Sequence, residues 1–137
     1  MKDFRKLKIK LYADGADIND MKRAYKNGMV SGFTTNPYFL RLAGVVDYEQ
    51  FAKDVVAEIP DLPISFEVIS DDMESMELEA LKISSWGKHV YAKIPIVNTK
   101  NESTAPLIKK LSYQGVKLNV TAVFTLEQVE ADRKSVV

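Results

Sequence analysis

The chain has 137 residues, of which 46% are hydrophobic, and its 19 basic and 19 acidic residues give a formal net charge of zero. This length and composition predict one folded domain with a hydrophobic core, and the absence of a basic excess argues against a nucleic-acid or anionic-membrane partner. The chain contains no cysteine, which excludes disulfide bonds and thiolate metal sites.

Nothing in the sequence predicts a membrane or secretory protein. No apolar run approaches the ~20 residues of a membrane-spanning helix. Residues 1–6 are not followed by the apolar segment that a secretory signal requires. We therefore expect a soluble, cytoplasmic protein.

Strand-like and helix-like segments alternate along the chain. Apolar alternation predicts strands over residues 8–13, 29–35, 64–69, 89–97 and 116–124. Helical spacing and capping residues predict helices over residues 17–27, 47–59, 71–83 and 101–111, with a further helix from residue 126 to 131. This order is typical of successive strand–helix units.

A run of such units with short connections implies a parallel sheet with helices outside it. No glycine-rich phosphate-binding pattern follows any predicted strand, which disfavours a nucleotide-binding doubly wound sheet. The other common arrangement is the (β/α)8 barrel of about 250 residues, and this chain has room for about five of its units. We therefore predict an α/β chain that lacks the C-terminal part of a barrel.

The predicted fourth strand carries Lys93 near its end, in otherwise apolar surroundings. A buried ammonium group is unfavourable unless it is paired or has a chemical role. Desolvation also favours the neutral amine, which is the form that attacks a carbonyl to give a Schiff base. The alternative is a lysine on an edge strand that points to solvent.

Polar side chains also occur near the ends of the other predicted strands, namely Asp14, Thr34, Asn36, Glu67, Asn119 and Thr121. Because alternate residues of a strand share a face, one register directs these groups to a common centre, as in barrel active sites. The opposite faces carry residues expected to pack on helices, namely Phe33, Phe66, Val68, Ala92, Ile94, Val120 and Ala122. Simpler explanations exist, since Asp14 can be a turn residue or a helix cap, Asn36 can form a turn, and Glu67 can form a plain ion pair.

Five segments together resemble the transaldolase family, and their order and spacing resemble its small-subunit branch, which includes fructose-6-phosphate aldolase-like proteins. These segments are Leu11-Tyr12-Ala13-Asp14, Gly32-Phe33-Thr34-Thr35-Asn36-Pro37, Ser65-Phe66-Glu67-Val68, Ala92-Lys93-Ile94-Pro95 and Leu118-Asn119-Val120-Thr121-Ala122-Val123-Phe124. The resemblance covers roughly residues 8–131. It implies a single, C-terminally truncated (β/α)8-barrel domain over residues 1–137 that uses no metal and no other cofactor.

The resemblance also implies catalytic roles. Lys93 would form the Schiff base with a ketose phosphate, and Asp14 would accept the proton that is released as the C3–C4 bond breaks. Glu67 and Thr121 would hold a water molecule that relays protons during Schiff-base formation. The aldolases of the family tend to carry glutamine at the position of Glu67, so a glutamate favours transfer over simple cleavage.

The remaining implied roles concern substrate binding. Asn36 and Asn119 would hydrogen-bond the dihydroxyacetone unit, with Thr34 supporting them. The implied reaction is transfer of a dihydroxyacetone unit between sugar phosphates in the pentose phosphate pathway. We expect sugar-phosphate substrates, a homo-oligomer, and no nucleic-acid or membrane partner.

Three alternatives remain open. The first is a fructose-6-phosphate aldolase-like lyase. The second is a non-catalytic half-barrel that acts only by association with another chain. The third is a relative of deoxyribose-phosphate aldolase, which usually has a second lysine on a later strand. Lys117 lies too near the start of the predicted fifth strand for that role.

Overall fold

The computed structural model of the chain describes residues 8–135, so the predictions about residues 1–6 and the last two residues lie outside it. Within this range the strands are β1 (Tyr12–Asp14), β2 (Gly32–Thr34), β3 (Ile64–Glu67), β4 (Val90–Pro95) and β5 (Leu118–Thr121). The helices of the same range are α1 (Ile18–Lys26), α2 (Pro37–Leu42), α3 (Tyr48–Glu58), α4 (Met73–Ser84), α5 (Ala105–Tyr113) and α6 (Leu126–Ser135). None of these described helices combines the length and apolar character needed to span a bilayer.

The described strands form one five-stranded sheet in the order β1-β2-β3-β4-β5. Strands β1 and β2, β2 and β3, and β4 and β5 pair in parallel. Neighbours in the sheet are thus neighbours in the chain, as in a (β/α)8 barrel, whereas doubly wound sheets reverse their strand order. The predicted fold class, the first five units of a barrel-type α/β chain, is confirmed.

The chain divides into two compact units. The first contains the described residues up to Phe66 together with Trp86–Val90, and the second contains Glu67–Ser85 and the described residues from Tyr91 onward. Helices α1 to α3 therefore belong to the first unit and helices α4 to α6 to the second. The prediction of a single domain over the whole chain stays a prediction.

The first unit has an apolar core in which strand and helix residues meet. Its most buried side chains are Phe33, Ala52, Val55, Ile59, Ile64 and Phe66. The ring of Trp86 packs edge-on against Tyr48 and Phe66, with centroid distances of 5.4 and 5.6 Å. Edge-to-face contacts of this kind add to the stabilisation that burial of the rings provides.

The second unit is organised around β4. Along the part of this strand that belongs to the second unit, Ala92 and Ile94 are buried, while Tyr91, Lys93 and Pro95 are only partly so. The core of the unit also contains Met76, Ala80, Ile96, Ile108 and Leu111. One prediction about the opposite faces is wrong: Ala122 is exposed, because it follows β5 with a left-handed φ of 57°, which ends the alternation.

Helix α2 was not predicted, helix α5 begins later than predicted, and helix α6 ends at Ser135 rather than at residue 131. Asn36 and Pro37 follow the predicted second strand, where Asn36 Oδ1 accepts a hydrogen bond from Phe39 N at 3.0 Å and Pro37 opens α2. An N-cap asparagine followed by proline is a helix start. Helix α5 begins at Ala105 rather than residue 101, because Asn101 has a φ of 61° that a helix does not admit.

Candidate active site

The predicted site residues fall into two groups, one in each compact unit. In the first unit, Asp14 ends β1 and is paired in register with Thr34 of β2. Thr34 Oγ1 donates a hydrogen bond to Asp14 Oδ1 at 2.8 Å, which orients the exposed carboxylate. Asp17, and not Asp14, caps α1 through bonds from Asn19 N and Asp20 N. Helix capping therefore does not account for Asp14.

Asn36 also belongs to the first unit, where its side chain has a structural role. Its Oδ1 caps α2 by accepting the bond from Phe39 N, a role that the sequence did not predict for this residue. The preceding Thr35 is fully buried, and its Oγ1 donates to the carbonyl oxygen of Ser65 at 3.1 Å. This bond fixes the end of β2 to β3 and was not foreseen from the sequence.

In the second unit, Lys93 of β4 lies beside Glu67 at the end of β3. The distance from Lys93 Nζ to Glu67 Oε2 is 3.3 Å, and the two side chains are only 12% and 18% exposed. Val68 N donates to the carbonyl oxygen of Lys93 at 3.0 Å, and β5 pairs with the other side of β4. Lys93 is therefore not on an edge strand, and the explanation as a solvent-pointing edge lysine is wrong.

Asn119 and Thr121 lie on β5, next to the lysine strand. Asn119 is in register with Lys93 and Thr121 with Pro95, and both are partly buried. Register partners on paired strands share a face of the sheet. The second unit thus brings Lys93, Asn119 and Thr121 to one face.

This group has the parts needed for amine chemistry. It holds a largely desolvated primary amine, a carboxylate within ion-pair distance, and an amide and a hydroxyl on the neighbouring strand. An amine with an adjacent proton donor and acceptor can form and hydrolyse imines. Over residues 8–135, no cluster of three or more His, Cys, Asp or Glu side chains is placed to hold a metal ion.

Lys117 does not supply a second lysine beside Lys93. It precedes β5, and its Nζ lies 5.8 Å from the centroid of the Tyr91 ring. The strand register places Leu118 opposite Ala92, so Lys117 lies towards the start of the strand, as expected.

A groove of about 380 Å³ in the second unit lies away from these residues. It is lined by Met73, Glu74, Glu77, Ser103, Pro106, Leu107 and Lys110, which belong to α4, α5 and the approach to α5. None of the predicted site residues lines it, so its size alone does not mark it as the site.

A set of polar residues in the loops that follow β3 and β4 was not predicted from the sequence. Asn98 and Thr104 are buried, and Asp71 precedes Asp72, which is the residue that caps α4. A usable signal was present: the stretch from residue 98 to 104 is a polar run directly after an apolar strand.

Comparison with known proteins agrees with the motifs. The family model described as Transaldolase/Fructose-6-phosphate aldolase matches residues 11–135. A Dehalococcoides mccartyi protein named probable transaldolase is 33% identical over 120 residues, which are 88% of this chain and 54% of that protein.

Two further proteins with the same name show similar likeness. The one from Desulfatibacillum aliphaticivorans is 38% identical over 117 residues, covering 85% of this chain and 52% of that protein. The one from Sulfurihydrogenibium sp. is 37% identical over 123 residues, covering 88% of this chain and 53% of that protein. The chain spans about half the length of the curated relatives it matches. It belongs to the transaldolase/fructose-6-phosphate aldolase family.

Proposed function

We propose that the chain transfers a dihydroxyacetone unit between sugar phosphates through a Schiff base at Lys93, in the pentose phosphate pathway of the cytoplasm. The observation that carries the proposal is the largely buried amine of Lys93, 3.3 Å from the Glu67 carboxylate, in a member of this family. The sugar-phosphate substrates and the catalytic turnover of this chain are also proposed, because the chain spans about half the length of its relatives.

The first half of the reaction would make and use the imine. The neutral amine of Lys93 attacks the C2 carbonyl carbon of the ketose phosphate, and the resulting carbinolamine loses water to give an iminium ion. Glu67 passes the required protons through a water molecule that Thr121 also binds. Asp14 then takes the proton of the C4 hydroxyl as the C3–C4 bond breaks. The electron pair of the C3–C4 bond moves into the iminium to form an enamine.

The second half would reverse these steps with a new acceptor. The cleaved aldehyde leaves, and the enamine carbon attacks the carbonyl carbon of an acceptor aldehyde while Asp14 returns its proton to the new alkoxide. Water then adds to the iminium, and hydrolysis releases the product ketose and restores the free amine of Lys93. The iminium stabilises the carbanion, so the protein has to position the groups and move protons through Asp14 and Glu67.

Substrate binding would involve the two asparagines. Asn119, in register with Lys93, would hydrogen-bond the dihydroxyacetone unit as it is attached to the amine. Asn36 Oδ1 is used as the cap of α2, so its Nδ2 group would donate to the substrate. Thr34 would act by holding the Asp14 carboxylate in one orientation through the 2.8 Å hydrogen bond.

Borohydride trapping with fructose 6-phosphate tests the proposal. We expect a reduced adduct in the intact mass and, after proteolysis, on the peptide that contains Lys93. Lys93→Met should abolish the adduct because methionine has no amine. Lys93→Arg should abolish it because a guanidinium does not form the imine. Lys110→Met is the matched control, since Lys110 is an exposed lysine of the same unit, ion-paired with Glu77 at 2.6 Å.

Two results would overturn the proposal. One is a folded wild-type protein that gives no adduct with fructose 6-phosphate. The other is an adduct that persists in Lys93→Met, because the reactive amine would then lie elsewhere. Loss of the adduct in Lys110→Met as well would show that the effect of Lys93→Met is not specific to Lys93.

Simple aldol cleavage is the closest alternative, because the description of the family names both reactions. It uses the same Schiff base, so trapping does not separate it from transfer. Product analysis does: cleavage releases dihydroxyacetone, whereas transfer yields a new ketose phosphate and requires an acceptor aldehyde.

A non-catalytic chain that acts by association is the second alternative. Among the described residues β5 pairs with β4 and with no other strand, and Phe124 and Leu126 beside it are 87% and 80% exposed. An unpaired strand edge with apolar neighbours favours association. This alternative predicts a stable oligomer together with a negative trapping experiment.

A further inference from the structure

The loops that follow β3 and β4 are bound to each other by Asp71. Its carboxylate accepts two hydrogen bonds from one residue, Thr99 N to Oδ1 at 2.8 Å and Thr99 Oγ1 to Oδ2 at 2.7 Å. Its carbonyl oxygen accepts a third bond from Asn98 Nδ2 at 3.2 Å. The bonds from the backbone N–H and hydroxyl of Thr99 hold the pKa of the Asp71 carboxyl below its ordinary value.

Asn98 also organises the loop after β4 from within. Its buried side chain accepts hydrogen bonds from Lys100 N at 3.1 Å and from Glu102 N at 2.9 Å, both at Oδ1. Its Nδ2 donates to Glu102 Oε2 at 2.6 Å. These bonds satisfy polar groups that would otherwise be unpaired, so they stabilise this conformation of the loop.

Both loops are tied back to the elements that carry the site. Thr104 is fully buried, its Oγ1 donates to the Pro95 carbonyl oxygen at 2.5 Å, and its N–H donates to the Ile96 carbonyl oxygen at 3.0 Å. In the other loop, the Glu79 carboxylate of α4 accepts bonds from Ile69 N and Ser70 N at 2.7 and 3.0 Å. The clamped residues Asp71 and Asn98 follow Glu67 and Lys93 by four and five positions.

We infer that Asp71, Asn98 and Thr99, which we call the loop clamp, are positioning residues for the Glu67–Lys93 pair. The loop clamp fixes the ends of the two strands that carry this carboxylate and this amine, and so keeps them at proton-transfer distance. The inference rests on the proposed function. Catalytic rates are sensitive to such placement, because a displacement of about 1 Å costs up to about 100-fold.

If the loop clamp had a merely structural role, removing one of its residues would lower stability without changing the chemistry of the folded protein. A variant of the neighbouring Asp72 separates this structural role from the positioning role. It caps α4 by accepting a bond from Ser75 N at 2.9 Å, and the backbone bond from Ser75 likewise lowers its pKa. Asp72→Ala therefore removes a similar carboxylate one position away and leaves the bonds between the loops intact.

The experiment measures the rate of adduct formation with fructose 6-phosphate, quenched with borohydride, for wild type, Asp71→Ala, Thr99→Val and Asp72→Ala. All proteins are kept at a temperature where circular dichroism shows them folded. We expect Asp71→Ala to lower the maximal rate about 10- to 100-fold with little change in the half-saturating ketose concentration. Thr99→Val should have a smaller effect, and Asp72→Ala should stay near wild type.

A conservative variant provides the rescue. Asp71→Asn can still accept from Thr99 N, and its amide can donate to Thr99 Oγ1, so most of the rate should return. An unchanged rate in Asp71→Ala would overturn the inference alone, as would equal slowing in Asp71→Ala and Asp72→Ala. No adduct in folded wild type would overturn the proposed function, and the inference with it.

Discussion

Lys93 and Glu67 form an ion pair that stability alone does not favour. Both side chains are more than four-fifths buried, with 12% and 18% exposed. Removing two charges from water costs several kcal/mol each by order of magnitude, and a well-packed apolar pair is often neutral or stabilising in such a place. A plain ion pair and a proton relay have the same geometry, so only chemistry separates them.

Glu67→Gln tests the relay at this position. If the carboxylate relays protons during formation and hydrolysis of the imine, glutamine should slow transfer and raise the ratio of cleavage to transfer products. The ratio is measured with fructose 6-phosphate and erythrose 4-phosphate by separating the sugar products. Glu77→Gln is the matched control, because Glu77 pairs with exposed Lys110. A ratio that stays the same in Glu67→Gln would contradict the relay role.

At the scale of single elements, the caps made three helices predictable. Asp17, Asp47 and Asp72 each precede a helix and accept bonds from its first N–H groups. Helix α2 was missed because it has only six residues and because Asn36 and Pro37 are both strand-stopping and helix-starting residues. The strands were predicted too long, since apolar alternation extends beyond the paired residues at one or both ends of each strand.

Gly32 of β2 is an element-scale constraint that can be tested. A Cβ at this position would lie 2.4 Å from Tyr12 Cε1 and 2.8 Å from the Pro63 carbonyl oxygen. The tyrosine ring can move, but the backbone oxygen cannot, and Phe33 N bonds to that same oxygen at 2.9 Å. We expect Gly32→Ala to lower the free energy of unfolding by about 1–3 kcal/mol, measured by urea denaturation.

Gly87→Ala is the control for this prediction. Its Cβ would meet a methyl group of Val56 at 3.0 Å, which is the flexible end of a side chain. The expected loss is therefore smaller than for Gly32→Ala. Equal losses in the two variants would show that glycine removal itself, and not the contact with Pro63, is responsible.

For the molecule as a whole, the sequence located the site groups better than the loops around them. Residue types at strand ends placed Lys93, Asn119 and Thr121 on one face, because strand alternation is a local rule. The loop clamp depends on hydrogen bonds between residues far apart in the chain, such as Thr99 and Asp71, separated by 28 positions. No local pattern encodes such a pairing.

The last prediction concerns association through the free side of β5. Two copies would present the same strand edge, with Phe124 and Leu126 beside it, so a two-fold contact between identical edges is possible without any other partner. We expect light scattering after size-exclusion chromatography to give a mass above the 15.4 kDa of one chain. Phe124→Lys should shift the protein to the monomer, because a buried unpaired charge opposes the contact. Val46→Lys is the control: it places the same charge on a fully exposed valine of the first unit and should not shift the protein to the monomer. A monomeric wild type, or an equal shift in both variants, would contradict this contact.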